Sequence, residues 1–241
     1  MTQIKDLQAL IVDGTSIPSD WAGKAIIQDD NLCYLVWNKK TLETILVDTC
    51  REDIEATQEL LRSLPELKIV AVIDTHTHAD HVTAGAYWSE KLGVPWIMHS
   101  ESPTRRAQVR IFSDTPWFTH ASPMRFVTTP GHTPDGFTIF WGPFIFTGDT
   151  VFYADTGRDD LPGGDAEAHF DSLQKIKAHA KPEMLMLPGH DMRGGRISSW
   201  KTQLEVNASL TQPRAIFVPE AAAYVGPSPK LLKESLFENF R

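Results

Sequence analysis

Residues 75 to 81 read Thr-His-Thr-His-Ala-Asp-His, which places three of the chain's nine histidines and one carboxylate inside a single short window. Neutral imidazole and carboxylate together suit zinc, iron or manganese, and the window holds no soft thiolate. His76 and His78 are two apart, so in an extended segment they project to the same side. Asp80 and His81 are adjacent, and both reach a second position only if the chain turns there. Three further places share a simpler grammar, in which an apolar run meets a glycine turn and then one metal-compatible side chain. They are Pro130-Gly131-His132, Thr147-Gly148-Asp149 and Pro188-Gly189-His190. Glycine there permits a positive φ or a close backbone approach. Taken singly, each is an ordinary turn. Together with the first window they supply seven candidate metal ligands: His76, His78, Asp80, His81, His132, Asp149 and His190. That set is enough for two adjacent metals sharing one carboxylate.

The elements that must position these residues follow from hydrophobic pattern. Lys68–Asp74 is short, apolar and β-branched, and predicts a buried strand that delivers the histidine window at its C-terminal end. Other strands are expected over 7–12, 33–37, 44–47, 95–98, 125–129, 136–141, 143–146 and 184–187. Helices are expected over about 51–64, stopped by Pro65, and over 82–92, ended by Gly93. A helix over about 166–180 has Asp165 as its N-cap and Glu167 in its first turn. Two more are expected over about 199–208, capped by Ser198, and over 230–240. Residues 101–120 show no clear periodicity and are expected to form a substrate-side loop, with Trp117, Phe118 and His120 near a pocket. His169 and His179 are expected on helix surfaces. Many strands with interspersed helices fit two packed sheets covered by helices better than one parallel sheet.

Composition narrows the function. The chain has 23 Lys plus Arg against 31 Asp plus Glu, a formal charge of −8, which makes a poor partner for phosphate backbones. Nucleic acid is therefore not an expected partner. No window holds 18 consecutive apolar residues, so no membrane span is expected, and the N-terminal sequence has no apolar signal region. A cytoplasmic location is the expectation. Cys33 and Cys50, the only cysteines, lack redox or zinc spacing and are expected to be buried apolar residues.

Order, spacing and flanks of the seven candidates, from about Leu32 to His190, resemble the metallo-β-lactamase superfamily. The resemblance implies an α+β fold, an αββα sandwich with its site at one edge of the two sheets, in one domain over 1–241 with a short tail from about 211. By carry-over, His76, His78 and His132 belong to a first metal position and Asp80, His81 and His190 to a second, with Asp149 between them.

Within the superfamily, Thr75–His81, Pro130–Pro134, Phe146–Asp149, residues 156–160 and Pro188–Asp191 resemble the glyoxalase II and persulfide dioxygenase branch. In the dioxygenases one Fe(II) is held by the positions matching His76, His132 and Asp149. Ala79, the His190-Asp191 pair and the short stretch of 51 residues after His190 favour that side. Met192, where the dioxygenases carry a tyrosine, and Asn207-Ala208-Ser209-Leu210, which lacks their arginine, favour the other.

The resemblance implies an Fe(II) enzyme oxidising a glutathione persulfide or similar small persulfide. The alternative is a hydrolase of a thioester or lactone with one or two Zn(II), in which Asp80 also orients the attacking water. Asp80 and Asp149 are the expected catalytic carboxylates. Arg158 matches an arginine that holds a glutathione carboxylate, a task suited to its planar fork; its other reading is a structural tie for the 156–165 loop. A small-molecule substrate is the expected partner.

Overall fold

Residues 32–37 are apolar at nearly every position because their strand is covered on both faces. Leu32, Tyr34 and Val36 enter one core, while Cys33, Leu35 and the partly buried Trp37 enter another. The computed structural model describes residues 2–112, 114–191, 195–229 and 232–240. One seven-stranded sheet runs in chain order through β1 (Gln3–Asp6), β2 (Trp21–Gln28), β3 (Asn31–Asn38), β4 (Glu43–Val47), β5 (Lys68–Ile73), β6 (Trp96–His99) and β7 (Val109–Ile111). Its first four strands pair antiparallel and β4 to β7 pair parallel. The six-stranded sheet also follows chain order, through β8 (Thr115–Phe118), β9 (Pro123–Thr128), β10 (Phe137–Trp141), β11 (Phe144–Gly148), β12 (Leu185–Pro188) and β13 (Ser198–Ser199). There only β11 and β12 pair parallel.

The main core lies between the sheets, where Tyr34, Val47 and Ile73 meet Phe126, Phe137, Phe144 and Phe146. Alternate residues of the same strands pack outward. On the first sheet Leu46, Val72 and Trp96 meet Leu60 of α1 (Ile54–Ser63) and Trp88 of α2 (Gly85–Leu92). On the second, Val127, Ile145 and Met186 meet Leu173 of α3 (Ala166–His179), Trp200 of α4 (Trp200–Val206), Leu210 of α5 (Ala208–Thr211) and Phe217 of α6 (Arg214–Ala223). The result is an αββα sandwich. A last helix, α7 (Leu232–Asn239), packs on the loop that follows β5. Among the described residues no helix is long and apolar enough to cross a membrane.

Cys33 and Cys50 are buried and free, Gly93 ends α2 at φ +67°, and Asp165 caps α3 by accepting from Glu167 N and Ala168 N. Five expectations need correction. The cap of α4 is Ser199 rather than Ser198, its hydroxyl accepting from Thr202 N at 3.2 Å. Residues 7–10 form a 3-10 turn rather than a strand; Leu7 and Leu10 are both buried, and the three-residue repeat of that turn puts them on one side. The helix expected from 82 begins at Gly85, because Thr83 is held in an antiparallel bridge with Cys50. Residues 101–120 are not a bare loop but contain β7 and β8. These are edge strands, and an edge tolerates Pro116. Trp117 packs against the core, whereas Phe118 and His120 are exposed. His169 is completely buried rather than on a helix surface, with Phe217 of α6 edge-on to its ring. Its Nδ1 lies 2.6 Å from Asp159 Oδ1 and its Nε2 2.8 Å from the Thr150 carbonyl, two acceptors that hold both ring nitrogens. His179 is half-buried against Phe140.

Candidate metal centre

The site forms where β4, β5, β11 and β12 end together. Asp48, just after β4, has φ +52° and accepts from Thr75 N at 2.7 Å and from the Thr75 hydroxyl. Phe137 N, in the other sheet, donates to Thr75 O at 2.9 Å, so this residue is gripped from both layers. The Tyr34 hydroxyl crosses the same gap to donate to Pro188 O at 2.6 Å, directly before Gly189 and His190.

Two of the histidines, His76 and His132, are oriented through the nitrogen that faces away from the centre. The Thr75 hydroxyl donates to Asp48 and accepts from His76 Nδ1 at 3.0 Å, which leaves His76 Nε2 with its lone pair. His132 Nδ1 donates to the Arg158 carbonyl at 2.6 Å and is left in the same tautomer. Both Nε2 atoms face Asp149 Oδ2, at 3.8 Å from His76 and 3.5 Å from His132. Asp149 can enter this space because its neighbours lack side chains. A Cβ on Gly148, at φ +49°, would lie 2.3 Å from the Thr75 hydroxyl, and one on Gly189 would lie 2.3 Å from Asp149 Oδ1.

A second group adjoins the first. Ligand atoms of His78, Asp80 and His81 fall within 4.8 Å of one another, as do those of His76, His132 and Asp149. The His78 and His81 rings are 4.0 Å apart, and His81 Nδ1 is 3.1 Å from Asp80 Oδ2. His190 stands between the groups, its Nε2 3.3 Å from Asp149 and 3.7 Å from Asp80. The chain thus brings all seven predicted residues together. His78, which the resemblance assigns to the first position with His76 and His132, is grouped here with Asp80 and His81; its Nε2 lies 3.5 Å from Asp48 Oδ1, although its ring is 4.3 Å from that of His76.

The electrostatics suit a cation. Burial would raise the Asp149 carboxyl, but His190, His76 and His132 outweigh it and hold the group well below the usual range. Asp80 is likewise held low, burial being outweighed by His81, His190 and His78. Burial, reinforced by His78, lowers His76 to about 3, so it is neutral and able to ligate. His190 is raised to about 10, burial being outweighed by Asp149, Asp80 and Asp30. His76 Nε2, both nitrogens of His78, His81 Nε2 and Asp149 Oδ1 are buried without a hydrogen-bond partner. Buried polar atoms are rarely left so. Unpartnered atoms on four residues of two adjoining ligand groups fit a metal centre.

The sequence profile of the metallo-beta-lactamase superfamily matches residues 27–106 and 122–190. The chain belongs to the metallo-beta-lactamase superfamily. It is 32% identical over 166 residues to the probable polyketide biosynthesis zinc-dependent hydrolase PksB of Bacillus subtilis, covering 66% of this chain and 72% of that one. It is 24% identical over 210 residues to the mitochondrial persulfide dioxygenase ETHE1 of Homo sapiens, covering 86% and 82%. The crystal structure of ETHE1 from Myxococcus xanthus superposes with a TM-score of 0.84 at 25% identity, covering 90% of this chain and 97% of that one. As a metallo-beta-lactamase superfamily protein the chain is of a metalloenzyme kind, and its neighbours include both hydrolases and dioxygenases.

Around the centre, Arg158 spends its fork inside the protein. Nε and Nη2 donate to Asp160, and Nη1 donates to Pro227 O at 2.6 Å. Its carbonyl is the group that orients His132. Asn207 donates to Phe152 O and Asp155 O, fixing the loop whose Phe152 stands edge-on to His190. Asp191 accepts from Arg196 N, Nε and Nη2. Met192 lies outside the described residues.

Asp48, Ser235 and Asn239 were not singled out from sequence. Asp48 carries the same signal as Asp149, a carboxylate directly after an apolar strand. Nothing local marks the other two.

Proposed function

We propose that this protein is an Fe(II)-dependent persulfide dioxygenase that oxidises a glutathione persulfide, or a similar small persulfide, with O2 to a sulfur oxyanion. The observation that carries the reading is the His76, His132 and Asp149 group, two imidazoles and one carboxylate converging within 4.8 Å at the mouth of three strands. Iron held by such a triad offers open positions for a substrate sulfur and for O2. The protein's own part is to fix that donor set. Thr75 and the Arg158 carbonyl hold two lone pairs in place, and the two glycines admit Asp149. Asp80 and His190 border the same space and supply charge and a proton there. The similarity to ETHE1 over 90% of this chain supports the reading.

A second reading has its own observation. His78 and His81 also present buried, unpartnered nitrogens, a donor set for a second ion. Two zinc ions would supply Lewis acidity toward a thioester or lactone carbonyl, in keeping with the resemblance to the Bacillus hydrolase.

Metal analysis of protein made without added metal, with O2 uptake on glutathione persulfide, separates the two. Iron near one per chain with uptake is the expected result. Zinc near two per chain, thioester hydrolysis and no uptake would overturn it.

A further inference from the structure

The described chain closes with α7, and two residues of that helix grip the loop carrying the second ligand group. Asn239, only 4% exposed, commits its whole side-chain amide to this loop. Nδ2 donates to His78 O at 3.0 Å and to His81 O at 2.9 Å, and Oδ1 accepts from Thr83 N at 3.0 Å. One turn earlier on the same face, Ser235 Oγ donates to Ala79 O at 2.6 Å. A loop that turns sharply enough to aim Asp80 and His81 at one centre cannot satisfy its own carbonyls, and these must find partners elsewhere. An amide with two donors and one acceptor meets that need; a carboxylate or a methyl group does not. Arg51 adds a second tie, its N–H donating to Val82 O and its guanidinium pairing with Glu234 at 2.6 Å. The first ligand group is supported differently. His76 leans on Thr75 and Asp48, and His132 on the Arg158 carbonyl.

We infer that α7 is a positioning strap for the His78, Asp80 and His81 group, with Asn239 as its central positioning residue, and that it governs that group's hold on metal without governing the His76, His132 and Asp149 group. The inference rests on the metal-centre reading above, whichever reaction the centre performs.

Zn2+ alone is the probe, its affinity measured by competition with a chelating dye in two backgrounds of the full chain. In His132→Ala protein the remaining affinity reports the second group, and adding Asn239→Ala is expected to weaken it about 10- to 100-fold, as loss of a ligand-orienting hydrogen bond does. In His81→Ala protein the remaining affinity reports the first group, and Asn239→Ala is expected to leave it unchanged. Asn239→Asp keeps the acceptor for Thr83 N but turns a carboxylate toward two carbonyls, and is expected to behave as badly as alanine. Amide exchange at Thr83 is expected to quicken in both Asn239 variants, a readout independent of any ion. Equal weakening in both backgrounds would mean general loosening and would overturn the strap, as would unchanged affinity in the His132→Ala protein. Absence of Zn2+ binding by the unsubstituted chain would instead overturn the metal-centre reading itself.

Discussion

His190 is the side chain on which the two metal readings part, since it lies within 3.7 Å of both Asp149 and Asp80. A mononuclear iron centre on His76, His132 and Asp149 is expected to keep about one metal per chain in His190→Ala, whereas a binuclear centre would fall from about two to about one. Metal analysis of the purified variant against the unsubstituted chain decides it, and a wild-type content near two that halves would sink the dioxygenase reading. Asp149→Ala, by contrast, is expected to lose both metal and activity under either reading, with the fold retained by circular dichroism. Most of the site was visible in the sequence because four ligands crowd one window at a strand end and the other three each follow an apolar run and a glycine, and such local punctuation survives without the fold. Asp48 escaped notice because its task is set by the parallel neighbour β5, and a strand's neighbour is not written in its own residues. Asn239 meets His78 across 161 residues, and no local pattern reports such a pairing. His169 looked like a surface residue because its burial depends on α6 and on the loop at Asp159.

Elements explain why Arg158 belongs to the scaffold as well as to the site. Its fork on Asp160, together with the Asp160 bond from Gly226 N at 2.8 Å, ties the 156–165 loop to residues 224–227. Arg158→Lys keeps the charge and loses the fork. We expect a cost of about 1 kcal/mol for this partly exposed pair, a fall of about 2–4 °C in Tm, and unchanged metal content; a raised KM for glutathione-derived substrates without loss of Tm would return the residue to substrate capture. A second tie joins the first segment of the chain to α4. Asp13 accepts from Ser199 N, the Ser199 hydroxyl and the Thr202 hydroxyl, all within 2.8 Å. Burial alone would raise this carboxyl above its ordinary 3.8, but the bonds from Thr202 and Ser199 outweigh it and depress it strongly. A depressed folded-state value means stability that is present above about pH 4 and lost as pH falls through the folded value. Asp13→Asn is therefore expected to lower Tm at pH 7 by about 3–6 °C, from about 1.5 kcal/mol, with the difference shrinking toward pH 2. A constant difference across that range would remove the charge from the explanation. At this scale the sequence spoke through strands that are apolar on both faces, and through Asp165 and Gly93 at helix ends. It was silent on β7 and β8, because three- and four-residue edge strands carry too few positions to show a period.

Across the whole molecule, the donor set draws on both layers. His76, His78, Asp80 and His81 follow a strand of the first sheet, while His132, Asp149 and His190 follow strands of the second. An ion held by both would bind only the assembled sandwich. At free metal 100-fold above its dissociation constant it is expected to add about 2.7 kcal/mol, or roughly 5–10 °C in Tm, measurable by melting with and without a chelator. No change on chelation would argue against a centre that spans the layers. The order of strands carries one more consequence. Each sheet is laid down in chain order, the first complete by Ile111 and the second begun at Thr115. On a ribosome, the histidine window therefore emerges well before His132, Asp149 and His190 exist to face it, and the helix that clasps its loop is made later than all of them. The protein acquires half a centre, waits for the other half, and fastens it only when residue 239 has left the tunnel. A gene split between β7 and β8 should then yield two pieces, each with its own sheet, whose reunion can be followed by the return of tight metal binding.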